Sequence, residues 1–388
     1  MSESARDVST QSDLKQLKRE ADGSFNRAPS TFRDIVQEGS KYEPEKGICQ
    51  YHSNLTATYG PCAARLGRYH LYVSYGCPWA SRTLIVRKLK GLEDVITVSI
   101  VSPRMDSNGW PFARVDPFPG AEDDPIYNAR YLKDIYLSVE PHYQGRWVNH
   151  FQLLYARSLI LLIRFTVPVL FDKKTQTIVN NESSEIIRIF NSAFNALLPE
   201  KQARLDLYPK ALQSEIDEIN QWVYNDLNSE FYFFQGMTRH DSSIYTHSDG
   251  VYRTGFASTQ SAYEQAYHGV FAALDRIEDI IAAQHSHGSS FLIGDQLTEA
   301  DVRLYVTIVR FDVSYYGLFK CNKRDIRHGY PAIHRWLRNL YWNYPAFKDT
   351  TNFEHIKIGY STVVLVNPNR ISPLGPDPHI LPLDGVEA

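Results

Sequence analysis

RYHLYVSYGCPWASRTLIVRKLKGL, residues 68–92, decides the fold of the first half of the chain. Its opening, RYHLYVSY, is rich in β-branched and aromatic residues and reads as a buried strand. From Ala80 to Leu92 the apolar positions Ala80, Leu84, Ile85 and Leu89 follow helical spacing. Pro78 stands where a first helical turn tolerates proline, and Gly91 lies near the stop. Cys77 is therefore expected between the end of a strand and the start of a helix. There the orphan backbone N–H groups and the positive end of the helix dipole favour thiolate over thiol. A dithiol redox motif would place a second cysteine three residues on, and that position is Ala80. Any thiol that resolves a disulfide formed at Cys77 must come from elsewhere. Taken alone, the same cysteine reads as well as a small buried apolar residue.

Working outward, VITVSIV (95–101) reads as a second strand, FTVPVLFD (165–172) and TIVN (177–180) as two more around a DKKT turn, and ESSEIIRIFNSAF (182–194) as a helix. Strand, helix, strand, then two strands and a helix is the order of a thioredoxin-like α/β unit. In such a unit Val167, ahead of Pro168, can pair through its main chain with an extended peptide ligand. A proline at a sheet edge accounts equally well for that residue. Glu182 and Ser183 open a helix, where a carboxylate, a hydroxyl and backbone N–H groups suit the ammonium and carboxylate of an amino-acid end, as they also suit ordinary capping. From about Leu205 only helical spacing remains, in 211–227, 262–284, 299–311 and 332–344, so the second domain reads as an all-α bundle. Thr298 and Asp301 form a capping box at the start of one of these helices. The expected division is an N-terminal arm (1–67), a thioredoxin-like domain (68–200), a helical domain (205–363) and a C-terminal tail (364–388).

Bulk composition narrows the function. The 388 residues are 43% hydrophobic and carry a formal charge of -3, without a dense Lys/Arg block, so neither nucleic acid nor an anionic membrane surface is an expected partner. Leu153 to Phe165 is the most apolar stretch, but it is short and contains Arg157 and Arg164, which argues against a membrane span. The polar beginning reads as no signal peptide. The four cysteines, Cys49, Cys62, Cys77 and Cys321, lack zinc spacing and disulfide density, and no metal is expected. A reducing, cytoplasmic setting fits them. Glutathione is the abundant thiol there, and the expected co-substrate.

RYHLYVSYGCPWASRTLIVRKLKGL, NGWPF (108–112), FTVPVLFDKKTQTIVNNESSEIIR (165–188), GVYRTGFA (250–257), LTEADVRLY (297–305), RFDVSYYGLFKCN (310–322) and NFEHIKIGY (352–360), with ADGSFNRAPSTFR (21–33), together resemble the Xi-class glutathione transferases, the glutathionyl-hydroquinone reductases. The resemblance implies the glutathione transferase fold, a homodimer, and Cys77 as the nucleophile that takes glutathione from a glutathionyl-hydroquinone. It also implies Trp110, Val167, Glu182 and Ser183 as glutathione-binding residues, and Tyr252 and Tyr315 as the lining of the hydroquinone pocket. The family arginine beside the TVPV strand corresponds to Arg164 by adjacency, with Arg146 the alternative. An Omega-like thioltransferase or dehydroascorbate reductase using the same cysteine, and a non-catalytic binding module of the same fold, are the rival readings.

The chain departs from the family in places. Ser81 and Leu318 stand where relatives usually have histidine, which implies a change in leaving-group protonation or substrate range. Cys321 reads as a structural thiol. Segments 48–67, 147–164 and about 229–249 interrupt stretches that are contiguous in the family. Their similar length and clean edges read as translated short introns; the rival is surface loops, which cost a fold little. Sequencing the mature transcript decides between them, and reads carrying all three segments would exclude introns.

Overall fold

The computed structural model describes residues 30–44, 48–53, 56–61, 67–143, 165–228 and 250–383. A two-stranded antiparallel hairpin, β1 (Ile48–Ser53) and β2 (Thr56–Pro61), lies inside the first interrupting segment, with Ile48 opposite Pro61. The second and third such segments fall outside the described residues.

The central sheet has the order β4-β3-β5-β6, formed by β3 (Tyr69–Val73), β4 (Ile96–Ile100), β5 (Val169–Asp172) and β6 (Thr177–Asn180). β3 and β4 run parallel because α1 (Pro78–Leu89) carries the chain back between them, while β5 pairs antiparallel with both β3 and β6. Every residue of β3 is buried, as expected for a central strand covered on both faces. β5 is shorter than its sequence pattern predicts. Pro168 has no N–H to give a ladder, so pairing begins at Val169. A helix over Leu132–Val139 (α2), which the sequence reading left within a loop-rich region, precedes β5, and α3 (Ser183–Ser192) follows β6 and packs on α1. Residues 32–34 lie along the edge of β6, with Asp34 N donating to Val179 O at 3.0 Å.

The helical part contains α4 (Gln213–Val223), α5 (Val251–Phe256), α6 (Gln260–Ser286), α7 (Glu299–Arg310), α8 (Pro331–Asn343) and α9 (Phe353–Ser361). α7 is its centre: every residue from Glu299 to Arg310 except Arg303 is buried. The helix ends in a π-helical turn, Phe311–Tyr315. The capping box is present, with Asp301 returning a bond to Thr298 N at 3.0 Å. The two halves meet at Glu299, which is 2% exposed and accepts from Arg188 Nη2 of α3 at 2.8 Å and from Asn220 Nδ2 of α4 at 3.0 Å. Together these features make the glutathione transferase fold, a small mixed-sheet domain followed by a helical one.

At the end of β5, Asp172 is fully buried and receives Arg68 on both oxygens, at 2.8 and 2.7 Å, with Lys174 N at 3.0 Å and Thr175 Oγ1 at 2.8 Å. Burial works against its charge, but these donors outweigh burial and hold the carboxyl below its ordinary value. Stability from this group is therefore complete above the unfolded carboxylate pKa of about 3.9 and is lost as pH falls through the lower folded value. A series of thermal midpoints taken downward from about pH 5 should fall steeply, and Asp172→Asn, already destabilised at neutral pH, should lose part of that acid slope.

Candidate active site

β3 runs into a tight turn, Ser74–Gly76, before α1 begins. Gly76 has close neighbours there: a Cβ on it would meet the carbonyl oxygen of His355 at 3.2 Å and the Cα of Gly359 at 3.9 Å, both from α9. Cys77 follows as the N-cap of α1, with extended backbone (φ -82, ψ 121), its N–H on Ser74 O at 3.1 Å and Pro78 in the first turn. Its thiol is half-buried and donates to the carbonyl of Val167 at 3.6 Å. The sequence-predicted nucleophile and the sequence-predicted peptide-pairing residue, 90 positions apart, are thus in contact. The Val167–Pro168 bond is cis.

Glu182 is the N-cap of α3, and Ser183, 3% exposed, is its first residue. The Glu182 carboxylate accepts from Ser184 N at 3.2 Å, Ser184 Oγ at 3.0 Å and Ser30 Oγ at 3.1 Å. Burial opposes its charge, yet the Ser184 donors, the Arg33 charge and Ser30 together hold it below the usual carboxylate range. A carboxylate kept ionised therefore stands at the start of the helix that packs on α1. Trp110 lies in the loop between β4 and α2, half-buried, its carbonyl taking Leu132 N at 2.9 Å; among the described residues no hydrogen bond joins it to the other candidates. Arg146 and Arg164 both lie outside the described residues.

Tyr252 (α5) and Tyr315 (the π turn) are brought together as expected, but through a third residue that the sequence reading did not single out. The Tyr360 hydroxyl, from α9, lies 2.8 Å from that of Tyr252 and 2.8 Å from that of Tyr315. Three phenols carry three protons and share two hydrogen bonds, so one O–H remains able to donate outside the trio. Burial first, and the neighbouring phenols with it, raise all three far above the ordinary phenol value, so they are neutral donors. The Cys77 thiol acts in the same direction on Tyr252. Phe319 packs on all three rings at centroid distances of 5.3 to 5.5 Å. Its own room depends on Gly255, where a Cβ would come within 2.5 Å of the ring.

Ser81 is buried. It is 4% exposed, donates to Cys77 O at 3.1 Å and accepts from Arg310 Nη2 at 2.7 Å. Leu318 is half-buried against the core. Cys321 is fully buried, and burial pushes its thiol up to about 12, so it is unreactive, as a structural thiol should be. Two residues escaped the sequence reading, Tyr360 and Arg310. Both lie in quoted segments, and the one available signal was Asn352, whose side chain caps α9 by accepting His355 N at 3.0 Å.

Comparison with known proteins fits this geometry. The family model "Glutathione S-transferase, N-terminal domain" matches residues 76–193 and "Glutathione S-transferase, C-terminal domain" matches 260–339. The chain is 45% identical to glutathione S-transferase omega-like 2 of Schizosaccharomyces pombe over 92% of this chain and 95% of that protein. To the glutathionyl-hydroquinone reductase YqjG of Escherichia coli it is 42% identical, over 91% and 89%. A glutathione-bound structure of YqjG superposes with a TM-score of 0.68, at 39% identity, covering 89% of this chain and 92% of that one. The crystal structure of the Xi glutathione transferase from Phanerochaete chrysosporium matches with a TM-score of 0.77 and 54% identity, covering 96% and 99%.

Proposed function

Because the chain belongs to the glutathione transferases, and within them to the Xi class, we propose that it is a glutathione-dependent reductase that removes glutathione from glutathionyl-hydroquinones through Cys77. The observation that supports this most directly is a half-buried thiol at a helix N-terminus, on the Val167 carbonyl and electrostatically coupled to the neutral phenol of Tyr252. The thiolate attacks the glutathione sulfur; a sulfur–sulfur bond forms as the sulfur–carbon bond breaks. The electron pair stays on the ring carbon, which takes a proton, so the quinol is reduced and the two sulfurs are oxidised. A second glutathione then attacks the mixed disulfide, giving glutathione disulfide and free Cys77. Ala80 leaves no thiol in the next turn to compete with it.

Glutathione lies, in this reading, with its cysteine backbone on Val167, its γ-glutamyl end on Glu182 and Ser183, and Trp110 over it. Arg164 or Arg146 supplies a further charge. Tyr252, Tyr315 and Tyr360 receive the ring oxygens. The protein works as a cytoplasmic homodimer without a metal; among the described residues no helix is long and apolar enough to cross a membrane.

Assaying glutathionyl-menadiol beside dehydroascorbate tests the substrate class. Higher kcat/KM for glutathionyl-menadiol is expected, the reverse order would establish the Omega-like reading, and inactivity toward both would leave a binding module. Tyr360→Phe removes both shared hydrogen bonds without emptying the pocket. It should raise KM for glutathionyl-menadiol about tenfold, the worth of one such bond, with a smaller change in KM for glutathione.

A further inference from the structure

Arg310, the last residue of α7, is 1% exposed. Nη1 closes on its own helix, at Val306 O, 2.7 Å away. Its other donors cross to the sheet domain: Nη2 reaches Tyr75 O at 2.8 Å and Ser81 Oγ at 2.7 Å, and Nε reaches Gly76 O at 3.3 Å. Ser81 passes the contact on by donating to Cys77 O at 3.1 Å. The carbonyls of three consecutive residues, Tyr75, Gly76 and Cys77, are therefore held by Arg310 directly or through one hydroxyl. These are the residues that turn the chain from β3 into the helix behind the nucleophile.

The partners of this guanidinium are all neutral. Among the described residues no carboxylate lies within salt-bridge distance of it. A buried cation without an anion is costly, and it is retained where it serves one. The phenols that feel its charge are those of Tyr252, Tyr315 and Tyr360 and, on its own helix, Tyr305; Cys77 is tied to it through Ser81.

We propose that Arg310 is the positioning residue of the Cys77 nucleophile: it fixes the turn that aims the thiol, and its unneutralised charge balances the thiolate. This rests on the reading of Cys77 as nucleophile and adds that the helical domain completes the thiol's environment, so the sheet domain alone does not contain it. Other charged and titratable groups around the turn are Tyr75 and Glu122 from the sheet side, Arg87 and Lys88 of α1, Tyr252, Tyr315 and Tyr360 from α5, the π turn and α9, and His355, whose ring stands edge-on to Tyr75 at 5.4 Å. Burial holds the phenols above and His355 below their ordinary values.

The test is the rate at which Cys77 is alkylated by iodoacetamide as a function of pH, read on the Cys77 peptide by mass spectrometry in the full-length protein. Arg310→Met should move the titration midpoint upward by at least about one pH unit, and the pH profile of kcat/KM for glutathionyl-menadiol should move with it. Arg310→Lys, which keeps the charge and loses the fork, should move it less. Ser81→Ala should raise it by a smaller amount. A folded Arg310→Met protein with an unchanged midpoint overturns the proposal. If that variant does not fold, an unchanged midpoint in folded Ser81→Ala overturns it, and an upward shift supports it. Retained turnover in Cys77→Ser would instead overturn the nucleophile reading, so the two failures are distinguishable.

Discussion

Cys77→Ser is expected to lose turnover of glutathionyl-menadiol by about 10³-fold or more while keeping its fold and its affinity for glutathione. An alcohol at this helix N-terminus stays protonated, and oxygen cannot form the sulfur–sulfur bond on which the second step depends. The glutathione contacts proposed for Val167, Glu182 and Ser183 do not involve the sulfur of residue 77, so equilibrium binding followed by calorimetry should change little. This split between turnover and binding separates a nucleophile from a merely packed cysteine. A packed cysteine replaced by serine loses a little stability and no rate. Cys321 provides the internal control: it is fully buried, its thiol is pushed up to about 12, and Cys321→Ala should leave kcat unchanged.

The second large effect lies at the opposite end of α7 from Arg310. Asp301 is fully buried and accepts four hydrogen bonds, from Leu292 N at 2.8 Å, Trp336 Nε1 at 3.0 Å, Thr298 N at 3.0 Å and Thr298 Oγ1 at 3.1 Å. Trp336 is itself fully buried, so removing the carboxylate strands its indole N–H and two backbone N–H groups away from water. Asp301→Ala should lower unfolding stability by at least about 3 kcal/mol, read from urea denaturation. Thr298→Ala, which removes only the reciprocal half of the cap, should cost about 1 kcal/mol. Because α7 also ends at Arg310, the Asp301→Ala protein should lose activity on warming at the temperature where its helical domain loosens, and not before.

What the sequence disclosed and what it withheld follow a physical line. β3, α1 and the capping box are written locally: a run of aromatic and β-branched residues, a proline in the first turn, Thr298 three residues ahead of Asp301. Their existence was legible because each depends on neighbours within a few positions. The place of Cys77 at a helix start was legible for the same reason, since the N-terminus of a helix is a local feature. Its contact with Val167 is not local, and only the resemblance to a family joined them.

Tyr360 and Arg310 were missed because their meaning is wholly non-local. Arg310 at the end of a helix reads from sequence as a cation complementing the dipole. In the fold it is buried and turned to carbonyls more than 230 positions away. Tyr360 is one of 25 tyrosines, and α9 is too short for its apolar spacing to stand out. Ser81 shows the converse. Its departure from the family predicted a change in leaving-group protonation or substrate range; in the fold its hydroxyl joins the Arg310 guanidinium to the Cys77 carbonyl, a link no local pattern discloses.

If glutathione passes through a disulfide with Cys77, that state can be trapped. The protein is mixed with glutathionyl-menadiol in the absence of free glutathione, quenched in acid within one turnover, and mapped by peptide mass spectrometry. One glutathione is expected on the peptide carrying Cys77, formed as menadiol is released and removed when glutathione is added. Release of menadiol with Cys77 unmodified, or an adduct that glutathione does not discharge, would contradict it.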